Sequence, residues 1–152
     1  MMLAAMLAAA LGGEREPGFN MFIGSCWVAQ FTQGMTDTHC FDRILGGTHI
    51  RDTHHVVEGG RTVYEGETTY SVAGDRMLFT YFNSLGGVGS GSASQLEYGF
   101  RFTGSMRADP TKKPQRIDSE WRVIDNDHYD VRSLVPSAST GGNEVLHFTR
   151  KK

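Results

Sequence analysis

From Ser25 onward, apolar and polar residues alternate in short runs separated by turn residues, and no segment shows a convincing helical period. A period of two reads as half-buried strand. Strands are expected at Ser25–Phe31, Asp37–Leu45, Thr48–Val57, Thr62–Ser71, Arg76–Asn83, Ala93–Tyr98, Phe100–Met106, Arg116–Ile124, His128–Val135 and Glu144–Arg150. Gly46-Gly47, Gly59-Gly60 and Ala73-Gly74-Asp75 separate the second to fifth strands, and Gly-Gly loops suit hairpin turns that need positive φ. The glycine-rich stretch Ser84–Ser94 fits either a wide loop or a bulged strand entry.

About ten strands joined mostly by hairpins form a sheet that tends to close or split into a sandwich. Closure removes exposed edges, so the expected fold is all-β, a closed antiparallel up-and-down barrel. The 152 residues suit a single domain, here residues 22–152. Residues 14–21 read as a linker or short plug, with Phe19 and Phe22 packed against one barrel end. Residues 1–13 carry an apolar run too short to span a bilayer. With Ala8 and Ala10 before a cleavage point, this run is similar to the apolar part of an export signal, although the basic n-region is missing. A short amphipathic lead-in helix is the alternative. Export to a periplasmic or extracellular location is the favoured expectation, and a cytoplasmic one stays open.

Strand registers can be tested by charge. Around Asn126, a three-residue loop sets Trp121 against Val131 and Val123 against Tyr129, with Glu120 beside Arg132 and Arg122 beside Asp130 on the other face. With Gly46-Gly47 as a loop, Asp42 faces Arg51, His39 faces His54 and Phe41 faces Asp52. The Gly59-Gly60 loop then sets His54 against Glu65 and Asp52 against Glu67. A loop at Ala73–Asp75 sets Glu67 against Tyr81 and Glu65 against Asn83. One face thus collects Asp37, His39, Asp52, His54, Glu65, Glu67, Tyr81 and Asn83, together with Phe41, Val63 and Phe79. The other collects Cys40, Ile44, Thr53, His55, Tyr64, Tyr70, Leu78, Thr80 and Phe82.

Two cross-strand histidines among carboxylates can act as general acid and base or hold a first-row metal, with Tyr81 or Asn83 orienting a bound molecule. This requires the charged face to be the lumen. If it faces solvent, the same residues are an ordinary solvated wall. Composition narrows the partners. A net charge of -2 without a dense Lys or Arg run argues against nucleic acid. The Gly86-Gly87-Val88-Gly89 run lacks the strand-to-helix context of a phosphate loop. Cys26 and Cys40 fall on neighbouring strands. Both a disulfide and two separate core thiols fit, the latter favoured.

Several segments together resemble an uncharacterised bacterial family of lipocalin-like, calycin-type barrels, often exported: Phe22-Ile23-Gly24-Ser25-Cys26-Trp27, Gly46-Gly47 before Ile50-Arg51, Tyr64-Glu65-Gly66-Glu67 before Tyr70, Tyr81–Gly87 and Phe148-Thr149-Arg150. The resemblance spans Phe22 to Arg150. It implies a barrel with an internal ligand cavity, a structural Trp27 closing one end, and Arg150 covering that ring through a cation–π contact. The haem-binding nitrobindins, distant relatives, carry a late-strand histidine near the place of His147. No other haem signature accompanies it here, and no haem function is carried over.

The expected role is binding of a small, mostly apolar molecule in the lumen. Walls are expected from Trp27, Phe31, Tyr64, Tyr81, Phe82 and Trp121, and orienting groups from His39, His54, Glu67 and Asn83. Asp52 and Glu65 complete the cluster that an acid–base or metal-assisted enzyme would use, with His39 and His54 as candidate ligands. A filled structural or interaction barrel is the third reading. No cofactor and no membrane span is expected, and the sequence leaves the oligomeric state open.

Overall fold

The computed structural model describes residues 18–31, 34–136 and 144–152. The proposed leader falls outside these residues. Ten antiparallel strands follow one another around a closed barrel. They are β1 (Ser25–Gln30), β2 (Thr36–Ile44), β3 (His49–Glu58), β4 (Arg61–Ala73), β5 (Arg76–Asn83), β6 (Val88–Leu96), β7 (Gly99–Arg107), β8 (Gln115–Asp125), β9 (His128–Ser133) and β10 (Val145–Arg150). Each pairs with its sequence neighbours, and β1 pairs with β10 to close the ring. The expected all-β, up-and-down barrel is the observed one.

Alternation fixes the inward face. On β7, Phe100 and Phe102 are buried while Arg101 and Thr103 are exposed; on β5, Met77 and Phe79 are buried between exposed Arg76, Leu78 and Thr80. The glycine-rich stretch is strand from Val88 on, paired with β5 and β7. Gly91 admits both the neighbouring strand and a ring: a Cβ there would run into Thr103 O and lie 2.8 Å from the Phe79 ring.

One half of the lumen is solid with aromatic side chains. A 3₁₀ turn at Phe19–Met21 drops Phe19 and Phe22 into it, both fully buried. Phe22 packs on Trp27, Phe41 and Tyr129, with ring centroids 5.5, 5.3 and 5.0 Å away. Phe19 packs on Tyr70 and Phe100 at 5.0 and 5.2 Å. Rings at these separations add roughly 0.5–1.5 kcal/mol per pair to their apolar burial. Outside this end, Arg150 lies over Trp27, its Cζ 4.4 Å from the ring centroid. The guanidinium donates to Met21 O at 3.0 Å, Asn126 O at 2.7 Å, Asp127 Oδ1 at 3.1 Å and the Ser25 hydroxyl. It therefore ties the plug, β1 and the β8–β9 turn to the last strand.

Two registers match the charge argument: His39 pairs with His54 and Asp42 with Arg51, and Trp121 pairs with Val131 and Val123 with Tyr129, although the β8–β9 turn holds only Asn126 and Asp127, with an irregularity between Val123 and Asp125, in place of the expected three-residue loop. Two others are corrected by one residue. An irregularity between Val56 and Val57 sets His54 opposite Gly66 and His55 opposite Glu65. The next turn holds only Gly74 and Asp75, so Thr68, rather than Glu67, meets Tyr81. A one-residue slip inverts a strand's faces. Glu65 and Glu67 on β4 are thus exposed on the outer wall with Val63, and Tyr64 and Tyr70 turn inward. The second slip cancels the first, which restores Tyr81 to the lumen.

The expectation of two separate thiols is also corrected. Cys26 and Cys40 are directly paired across β1 and β2 and form a disulfide. Both flank inward residues, Trp27 on one strand and His39 and Phe41 on the other, so the bridge lies on the outer wall and is only partly buried.

Candidate functional site

Above the aromatic half, β2, β3, β4 and β5 carry a polar chain across the lumen wall. Asp37 and His39 are two apart on β2 and share its inward face. Asp52 and His54 do the same on β3. Tight pairing of β2 with β3 brings the four together, with Asp37 and Asp52 nearly inaccessible.

His39 is held at both ring nitrogens. Nδ1 donates to Asp52 Oδ2 at 2.8 Å and Nε2 to Asp37 Oδ2 at 3.2 Å. His54 Nδ1 donates to the other Asp37 oxygen at 3.3 Å. The neutral tautomer then leaves Nε2 to accept from the Tyr81 hydroxyl at 3.3 Å, and Tyr81 in turn bonds the Tyr64 hydroxyl. Asp52 Oδ1 has no hydrogen-bond partner among the described residues.

The charges follow from this geometry. Burial opposes protonation of His39, but the negative charge of Asp52 and hydrogen bonds to both carboxylates outweigh it and push its pKa up to about 10. Burial likewise opposes ionisation of Asp37, and hydrogen bonds from His39 and His54 outweigh it, holding this carboxyl well below its usual range. Tyr81 is raised, first by burial and then by its bond with Tyr64, so it stays a phenol. At neutral pH His39 is an imidazolium against the Asp37 carboxylate, and the Tyr81 end of the wall is a neutral phenol.

The polar chain faces a cavity of about 200 Å³. His39, Asp52 and His54 line this cavity from β2 and β3, Phe102, Met106, Ile117 and Trp121 from β7 and β8 across the ring, and Phe79 and Tyr81 from β5 between them. Thr68, Tyr70 and Ser119 complete it. Of the expected site residues, His39, His54, Asp52, Tyr81 and Trp121 meet here. Glu65, Glu67 and Asn83 do not; they border a second groove with Thr53 and Phe82, which His54 and Gly66 also line. Asn83 instead organises the β5–β6 turn, accepting from Leu85 N at 3.0 Å and Gly87 N at 2.8 Å. Of the expected walls, Phe82 points outward and is half exposed, Trp27 lies in the aromatic half, and Phe31 follows the end of β1, outside the cavity lining. His147 is on the outer wall, 2.7 Å from Asp130.

One position carries the site without contributing a side chain. A Cβ on Gly66 would stand 2.7 Å from His54 Cδ2 and 2.8 Å from Tyr81 Oη, and closer still to His54 Nε2. Gly66 pairs directly with His54, so the missing side chain is the space that the imidazole and phenol occupy. The Glu65-Gly66-Glu67 pattern was the available signal, since glycine inside an alternating strand marks a close approach.

Neither a family model nor a curated protein sequence matches this chain. Among the described residues, no helix is long and apolar enough to cross a membrane.

Proposed function

We propose that the protein binds a small, mostly apolar molecule in the open half of its barrel. The observation that carries this reading is the two-sided cavity: Phe102 and Trp121 on β7 and β8 across the ring from His39 and His54 on β2 and β3, with Tyr81 between them on β5. Apolar walls with a few convergent polar groups are the usual make-up of small-molecule sites. The volume sets the size. An apolar cavity of about 150 Å³ holds benzene, so one of about 200 Å³ suits a ligand of roughly ten non-hydrogen atoms. The phenol of Tyr81 and the imidazole edge of His54 would orient one polar group on it. The Cys26–Cys40 disulfide fits an oxidising compartment, in keeping with an exported lipocalin-like barrel.

Calorimetric titration with p-cresol tests this reading. Saturable binding to the native chain that is lost in Ser119→Phe, which fills the cavity, supports it. Equal heats from both proteins would count against it.

One observation favours a second reading, acid–base catalysis. The Tyr81–His54 contact lies on the cavity wall with Asp37 behind the imidazole, a donor and acceptor positioned side by side. It predicts deuterium exchange at the α-carbon of cyclohexanone in D₂O, abolished by Tyr81→Phe. Exchange no faster than in buffer would remove this reading.

A further inference from the structure

The geometry points to a divalent-metal site formed by Asp37, His39 and His54 on the lumen wall, suited to a first-row ion such as zinc. One carboxylate oxygen and one nitrogen from each imidazole lie within 4.8 Å of one another. The spacing is informative. The bond from His39 to Asp52 is 2.8 Å, ordinary for an imidazolium and a carboxylate. The two contacts to Asp37 are 3.2 and 3.3 Å, long for charge-assisted bonds, which run about 2.7–2.9 Å. Two ligand atoms each about 2.1 Å from a common ion are separated by about 3.0 Å at a right angle and about 3.4 Å at the tetrahedral angle. Each Asp37 contact falls in that interval, the two running to different carboxylate oxygens, Oδ2 for His39 Nε2 and Oδ1 for His54 Nδ1.

The surroundings are those of a metal site as well. A ligating imidazole normally fixes its orientation by bonding a partner through its other nitrogen. Here His39 Nδ1 is held by buried Asp52 and His54 Nε2 by Tyr81. That leaves His39 Nε2, His54 Nδ1 and Asp37 as the converging donors. All three sit on paired strands, where backbone hydrogen bonding fixes their spacing. The His39 and His54 side chains retain 15% and 12% exposure and border the cavity, which provides both a path for the ion and room for a further ligand. As the ion binds, His39 releases its Nε2 proton to solvent and the His54 proton moves to Nε2, where it donates to Tyr81; the resulting two imidazoles and one carboxylate suit zinc and other borderline divalent ions, and neither cysteine is a free thiol.

This site goes beyond the ligand-binding reading and does not rest on it, because uptake can be measured with no organic molecule present. The experiment uses the full chain, stripped with chelator and then titrated with Co²⁺ and Zn²⁺. One Co²⁺ per chain with visible d–d bands is expected. In ¹⁵N-histidine-labelled native protein, Zn²⁺ should move the His39 Nε2 and His54 Nδ1 resonances and leave His128 and His147 in place. Asp52→Asn should weaken uptake by about 10- to 100-fold, and His147→Ala should leave it unchanged. The labelled native protein decides the matter even where a variant fails to fold. Absence of saturable uptake, or zinc shifts confined to His128 and His147, would overturn the site while leaving p-cresol binding untouched.

Discussion

The imidazoles of His39 and His54 lie face to face across β2 and β3, their centroids 4.5 Å apart and their planes 24° from parallel. Asp37 bridges them, one oxygen to each ring. Two imidazolium rings this close would repel, and a carboxylate shared between them sets how much charge the pair can hold. His39, with Asp52 on its far side, takes the proton.

The metal-free protein should therefore lose stability toward alkaline pH well above the usual histidine range. The His39 pKa is raised from 6.5 to about 10, so its contribution is complete below pH 6.5 and is lost as the pH rises through about 10. Asp37 is lowered from 3.8, so its contribution is present above that pH and lost as the pH falls through the depressed value. Urea unfolding in chelator should show greatest stability between the two limits. From pH 6.5 to 10 it should fall, by up to about 1.4 kcal/mol per pH unit for one proton. His39→Gln should flatten that alkaline slope, and an unchanged slope would contradict the assignment.

Gly66→Ala should damage the site from a position that has no side chain. The added methyl meets the His54 ring and the Tyr81 hydroxyl, both packed from the lumen side. A cost of about 1–3 kcal/mol is expected from overpacking, together with weaker p-cresol binding. Glu65→Ala, next door on the outer wall, should stay within about 0.5 kcal/mol of the native protein. Chemical denaturation of both variants checks the contrast.

Reducing the Cys26–Cys40 bridge should lower stability without opening the barrel. The bridge closes a loop between residues 14 apart in sequence, a length for which cross-linking contributes about 3 kcal/mol. Free-thiol titration of unreduced protein under denaturing conditions should find none, and urea midpoints with and without reductant measure the loss.

Arg150→Lys should not be conservative. A lysine keeps the charge over Trp27 but cannot make the forked contacts to Met21 O, Asn126 O and Asp127. Destabilisation of about 1–3 kcal/mol is expected, with raised amide exchange in the Phe19–Met21 turn. Hydrogen-exchange mass spectrometry locates the effect.

Much of this architecture was legible from the chain. Alternation gave the ten-strand barrel, and opposite charges at Asp42 and Arg51 gave the register that pairs His39 with His54. Charge pairs also fixed the β8–β9 hairpin. What stayed hidden was local. The irregularity at Val56/Val57 involves no glycine or proline, so nothing in the residues announced it, and it moved Glu65 and Glu67 outside. Of the apolar wall, only Trp121 was named from the chain. Placing it opposite the histidines required knowing how far around the ring β7 and β8 lie. The disulfide stood as the less favoured alternative for a related reason: strand proximity was visible, but direct opposition of Cys26 and Cys40 depends on the loop length between β1 and β2.

The most direct test of lumen binding uses the two tryptophans as paired reporters. Trp121 lines the cavity, whereas Trp27 is sealed in the aromatic half beneath Arg150. In a ¹H–¹⁵N correlation titration with p-cresol, the Trp121 indole resonance should move saturably while the Trp27 resonance stays in place. A Trp121 resonance that does not move, or equal non-saturating drift of both, would contradict ligand binding in the barrel.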